Sequence, residues 1–148
     1  MNELLTFLQI DENFPDMVVR LLFAAVLVGL IGYERENKNQ NAGLRTHLLV
    51  GVGSCCLMLF NIYGLGGTEG TDMARIPSYI ISGIGFLGAG VIITREKELN
   101  VIGLTTAASI WVVAAIGIIC GAGMFGLGII ATGLVLFCLF VLKKLERG

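Results

Sequence analysis

The chain has 148 residues, 55% of them hydrophobic and 14% charged, with a formal net charge of −1 and a mean hydropathy of +0.86. Soluble domains carry about 25% charge, so too little polar surface is present to cover a water-facing globule, and the near-neutral balance offers nothing to a nucleic acid. The charges are also confined: residues 21–33, 46–68, 76–94 and 99–142 contain none, and such runs are longer than soluble core helices need. These features predict an all-α, polytopic transmembrane helix bundle forming one domain.

Residues 1–16 read as a polar lead with an interfacial helix through Leu4, Leu5, Phe7, Leu8 and Ile10. Four acids and no basic residues there argue against a cleaved signal peptide. A first span follows over 17–33, with Arg20 in its first turn placed to snorkel to the interface. The stretch 34–45 (ERENKNQNAGLR) is a charged loop, 46–63 a second span, and 64–77 a Gly-rich loop carrying Glu69, Asp72 and Arg75.

The third span, 78–94 (SYIISGIGFLGAGVIIT), is uncharged. At about 100° per residue, Ser78, Ser82, Gly85 and Ala89 fall within an arc of about 60°. Small side chains let helices approach where lipid supplies no hydrophobic drive between them, so Ser82, Gly83, Gly85, Gly88, Ala89 and Gly90 are expected to be packing positions. Gly83, Gly85 and Gly88 also match GxGxxG, but that fingerprint needs a preceding strand and an opening helix, and here it lies inside an apolar span.

After the charged loop 95–100 (REKELN), the run 99–142 holds two spans, 101–119 and 124–142, with Gly121 and Gly123 at the turn between them. Trp111 falls inside the fourth span and is expected to pack against a neighbour. With the C-terminus inside, the inner loops and tail hold Arg35, Lys38, Arg45, Arg95, Lys97, Lys143, Lys144 and Arg147, and the outer side keeps only Arg20 and Arg75. Lys and Arg concentrate on the cytoplasmic side of membrane proteins, so the N-terminus is expected outside and the C-terminus inside.

Two polar clusters are candidates for function. The inner one comprises Glu34, Arg35, Arg45, Thr46 and His47, with Thr105 and Thr106 at the start of the fourth span. It is either an ion or ligand site or a structural ion pair with interface anchors. The outer one comprises Glu69, Asp72 and Arg75. Carboxylates suit hydrated Mg²⁺, while a solvated loop, or an Asp72–Arg75 pair at a helix start, is the plainer alternative. Cys55, Cys56, Cys120 and Cys138 lie in or beside apolar runs without Cys-x-x-Cys spacing. A zinc or redox site is therefore not expected, and the cysteines read as small buried hydrophobes. No catalytic residues and no cofactor are expected.

Four stretches, RLLFAAVLVGLIGYERE (20–36), AGLRTHLLVGVG (42–53), ARIPSYIISGIGFLGAGVI (74–92) and GLTTAASIW (103–111), followed by AAIGIICGAG (114–123), recur in order. On these motifs, over about 18–142, the chain resembles the MgtC/SapB family of bacterial inner-membrane proteins. The resemblance implies a five-helix membrane domain, without the cytoplasmic domain many members add, in magnesium homeostasis. That role is either Mg²⁺ passage or regulation of a membrane partner, with Mg²⁺ as substrate or effector. It also implies that Glu34, Arg35, Arg45, Thr46, Asp72, Arg75, Thr105 and Thr106 are the functional positions. A carrier or pore for another small solute, using the Glu/Arg/Thr cluster, is the alternative. The expected partners are the lipid bilayer, further copies of the chain and another membrane complex.

Overall fold

The computed structural model describes residues 12–65, 72–95 and 100–142; the expected interfacial helix before residue 12 and Glu69 of the outer loop lie outside these. Pro15 and Asp16 open α1 (Phe14–Asn37). Proline's fixed φ suits a first helical turn, where its missing N–H costs nothing, and an acid suits the positive end of the helix dipole. At 24 residues, about 36 Å long, α1 starts before the expected Met17. It also runs on through Glu34–Asn37, so the front of the expected loop is helical. Asn39, with φ 52°, sits just past its end, in the left-handed conformation that asparagine tolerates.

The next helix is capped by the one before it. α2 (Leu44–Leu59) begins with the Leu44 N–H donating to Glu36 Oε2 at 2.7 Å, and a Cβ on Gly43 would meet that oxygen at 2.8 Å. The end of α2 widens into a π-helical turn over Phe60–Gly64. In α3 (Arg75–Val91) the start is fixed by Asp72, whose Oδ1 accepts the Ala74 N–H at 3.0 Å.

α3 stops at Val91, three residues short of the Thr94 expected from sequence. The backbone turns extended at Ile92 (φ −85°, ψ 118°) and enters β1 (Ile93–Arg95), which pairs antiparallel with β2 (Asn100–Ile102). Ile93 stands opposite Ile102, Thr94 opposite Val101 and Arg95 opposite Asn100. The β-branched residues on either side of the charged segment favour strand over helix, so the third helix ends three residues early and the fourth starts three residues late. Arg95 and Asn100, at the ends of the expected loop, lie in paired strands, and the residues between them fall outside the described ones. Gly103 follows with φ +95°, and a Cβ there would collide with the Val91 carbonyl; both constraints require glycine. α4 (Leu104–Gly121) ends in the expected turn, where Gly123 takes φ +78°. α5 (Phe125–Phe137) continues into a second π-helical turn, Cys138–Leu142.

α4 is the axis of the bundle and touches each of the other helices. The core joins Ala24, Leu27, Val28 and Ile31 of α1, Cys55 and Leu59 of α2, and Val113, Ile116 and Cys120 of α4, with Leu139 beyond α5. Glycines draw these helices together, though not those of the third span. A Cβ on Gly117 would run into the Gly51 carbonyl, and one on Gly51 into Val28. One on Gly121 would meet Met58 Cβ at 2.7 Å, and one on Gly32 would meet His47 Cβ at 2.9 Å.

By contrast, Ile80 is the only buried residue of α3. Its packed side carries Ile80, Ile84 and Val91, about 140° round the helix from the Ser78–Ala89 stripe. A Cβ on Gly83, Gly85 or Gly90 would meet nothing within 4 Å, Ser82 and Ala89 are exposed, and Gly88 alone comes near a neighbour, Ala107 Cβ at 3.7 Å. An apolar groove of about 360 Å³ separates α3 from α2, lined by Leu49, Gly53, Leu57, Ile80, Gly83 and Leu87 among others. Among the described residues three helical stretches, Phe14–Asn37, Leu44–Gly64 and Leu104–Gly121, are long and apolar enough to cross a membrane.

Candidate functional site

At one end of the bundle, where α1 finishes and α2 and α4 begin, five polar side chains are almost wholly withdrawn from solvent: Glu34, Arg35, His47, Thr106 and Ser109. Helical spacing puts them there. Val28, Ile31, Gly32 and Arg35 recur on the buried side of α1 at the intervals of one face, so the apolar stripe that packs the core ends in a charged pair. Arg35 Nε donates to Glu34 Oε2 at 2.5 Å, both side chains 3% exposed or less. Glu34 Oε1 is buried and has no hydrogen-bond partner among the described residues.

Beside this pair stands the chain's single histidine. His47 Nδ1 lies 2.8 Å from the Gly43 carbonyl, and Nε2 lies 3.0 Å from Ser109 Oγ on α4. Ser109 in turn donates its O–H to the Thr106 carbonyl at 2.7 Å. Gly32 makes the assembly possible, because any side chain there would occupy the space of His47 Cβ and the Leu44 backbone.

Of the residues expected on the inner side, Glu34, Arg35, His47 and Thr106 are all buried at this end, while Arg45 and Thr105 are exposed and Thr46 is half-buried. Asp72 and Arg75 lie at the opposite end, both exposed. The described residues contain no ion pair between them: Asp72 caps α3, and Arg75 lies over the Tyr79 ring at 5.8 Å. Trp111 also departs from expectation. It is 47% exposed and faces outward, since the buried stripe of α4 runs through Ser109, Ile110, Val113, Ala114, Ile116 and Gly117.

The far end holds a second network. Instead of snorkelling, Arg20 turns inward, with Nη1 donating to the Gly121 carbonyl at 2.8 Å and Nη2 paired with Asp16 Oδ2 at 2.7 Å. The Tyr63 O–H donates to the same Asp16 oxygen at 2.6 Å, and the guanidinium lies over the Tyr63 ring at 5.6 Å. Asn61, fully buried in the π-helical turn, donates to the Met73 carbonyl at 2.8 Å and tethers the approach to α3. The i,i+4 spacing of Asp16 and Arg20 and the lone amide near the end of an apolar run were visible signals of this network. Nothing in the sequence indicates that Ser109 would be the partner of His47.

Among the described residues no group of three or more His, Cys, Asp or Glu could hold a metal ion. All four cysteines are free; Cys55 and Cys120 are buried as expected, and Cys56 and Cys138 are exposed.

The model of the MgtC family matches residues 21–148. A protein of Escherichia coli strain K12 named "Putative magnesium transporter YhiD" is 43% identical over 135 residues, covering 88% of this chain and 62% of that protein. Protein MgtC of Brucella abortus (strain 2308) is 42% identical over 124 residues, covering 84% and 50% respectively. Protein MgtC of Salmonella typhimurium (strain LT2) is 41% identical over 131 residues, covering 88% and 54%. The chain therefore spans between 50% and 62% of the length of these relatives. No solved structure matches.

Proposed function

Because the chain belongs to the MgtC family, we propose that it is a non-enzymatic membrane protein of magnesium homeostasis that acts by regulating a membrane partner. The magnesium link comes from the name of the Escherichia coli relative; the choice of regulation over conduction comes from the packing. Where α2 crosses α4, the Gly51 carbonyl lies against Gly117, and Val28, Ile31, Val113 and Ile116 are fully buried beside the crossing. A hydrated divalent cation keeps most of its waters and needs oxygen ligands along its way, and this closed apolar middle supplies neither room nor ligands. Among the described residues the one deeply buried carboxylate, Glu34, already has its charge matched by Arg35.

The same proposal places five spans in the bacterial inner membrane, with the Glu34 end in the cytoplasm on the strength of the Lys and Arg distribution. The unpartnered Ser78–Ala89 stripe of α3 supports contact with a further copy or with the partner. Purified chain in liposomes loaded with a fluorescent Mg²⁺ reporter tests the choice. No flux above empty liposomes is expected, whereas Mg²⁺-selective flux from the chain alone, abolished by Glu34→Gln, would establish conduction instead.

A further inference from the structure

The hydrogen bonds of His47 constrain where its protons lie, whatever the chain's part in magnesium homeostasis. The Gly43 carbonyl can only accept, so His47 Nδ1, 2.8 Å away, carries a proton. The Ser109 hydroxyl has one proton, and the Thr106 carbonyl, which also can only accept, receives it at 2.7 Å. With that proton committed, Ser109 Oγ can meet Nε2, 3.0 Å away, only as an acceptor. Both ring nitrogens are then donors, which is the charged imidazolium. When the ring is neutral, the Ser109 O–H must swing from the Thr106 carbonyl to the bare Nε2.

We propose that His47 is a buried proton-binding site whose occupancy is relayed by the Ser109 hydroxyl to the backbone of α4. Binding a proton turns the Nε2 contact round, from Ser109 O–H donating to Nε2, to Nε2–H donating to Ser109 Oγ. The freed hydroxyl proton then closes onto the Thr106 carbonyl in the first turn of α4. No bond other than N–H forms, and the proton comes from solvent.

The charged groups acting electrostatically on the ring are Glu34 and Arg35, both from α1. From α4 the uncharged Ser109 meets the ring, and its hydroxyl donates to the Thr106 carbonyl. Glu36 is engaged by the Leu44 N–H, one residue from Gly43. Glu34 and Arg35 offset each other as an ion pair, and Glu34 Oε1 is buried with no hydrogen-bond partner among the described residues. The site thus takes a proton where a metal ion finds too few ligands, and it joins α1, α2 and α4 at one end of the bundle.

A single histidine makes the test direct, because every signal from histidine labelled with ¹⁵N in the intact chain in phosphatidylcholine nanodiscs reports His47. Between about pH 5 and pH 8, the ring should pass from two protonated nitrogens to a neutral form that keeps its proton on Nδ1. Ser109→Ala should weaken proton binding about tenfold, a midpoint about one pH unit lower, since a charge-assisted acceptor is lost. Ser109→Thr should restore it. A neutral ring protonated on Nε2, a ring fixed in one state across the range, or an unmoved midpoint in folded Ser109→Ala would each overturn the proposal. If Ser109→Ala does not fold, the wild-type tautomer and its titration decide alone.

Discussion

Gly117→Ala is the sharpest probe of how the bundle is held. The added methyl points at the Gly51 carbonyl, with Ser54 Cβ 3.0 Å away, and main chain cannot rotate aside as a side chain can. To admit it, α2 and α4 must part by about 1 Å, which forfeits a quarter to a half of the dispersion between facing atoms. Over about 40 atom pairs at ~0.15 kcal/mol each, the loss is ~2 kcal/mol. Overpacking strain adds about 1–3 kcal/mol, and alanine's better helix propensity returns at most ~1 kcal/mol. The expected net destabilisation is on the order of 2–4 kcal/mol. Gly83→Ala is the matched control: it makes the same chemical change on a helix where nothing lies within 4 Å, and it should be neutral or stabilising by up to ~1 kcal/mol. Reversible unfolding of both variants in bicelles measures the difference. Gly117→Ala as stable as the wild type would refute the claim that backbone contact between α2 and α4 organises the fold.

Arg35→Met should cost about 3–5 kcal/mol by leaving the Glu34 carboxylate buried and unpaired, and the double variant Glu34→Gln/Arg35→Met should recover most of that; the same unfolding assay reads both, and a double variant no better than the single one would contradict the pairing. Arg20→Met should cost about 1–3 kcal/mol by removing the donor to the Gly121 carbonyl. Its signature is faster amide exchange at Ala122 and Gly123, with the amides around His47 unchanged, and uniform acceleration along the chain would mean that Arg20 acts globally.

The sequence reveals helix number and the α4–α5 turn because both follow from local chemistry: long uncharged runs, and glycine where φ must be positive. Helix ends were less legible. Charge marked Glu34 as a loop residue, but α1 carries it inward because Gly32 clears room against His47, and that clearance depends on a helix distant in sequence. The glycines of 83–90 and those at 32, 51, 117 and 121 look alike as text. Only the packing shows that the second group makes the close approaches within the chain. The candidate site was half legible, since Glu34, Arg35 and Thr106 stand out by type. Ser109, 62 residues from His47, is an ordinary helix serine until the two helices cross.

The clasp between Gly103 and Val91 has a mechanical consequence. It brings the ends of the two strands together, so the axial offset of α3 against α4 is settled there and by the strand register. A residue added or removed within either strand would shift that register and move one helix along its axis past the other, so the three paired positions act as the gauge that sets how deep each helix sits.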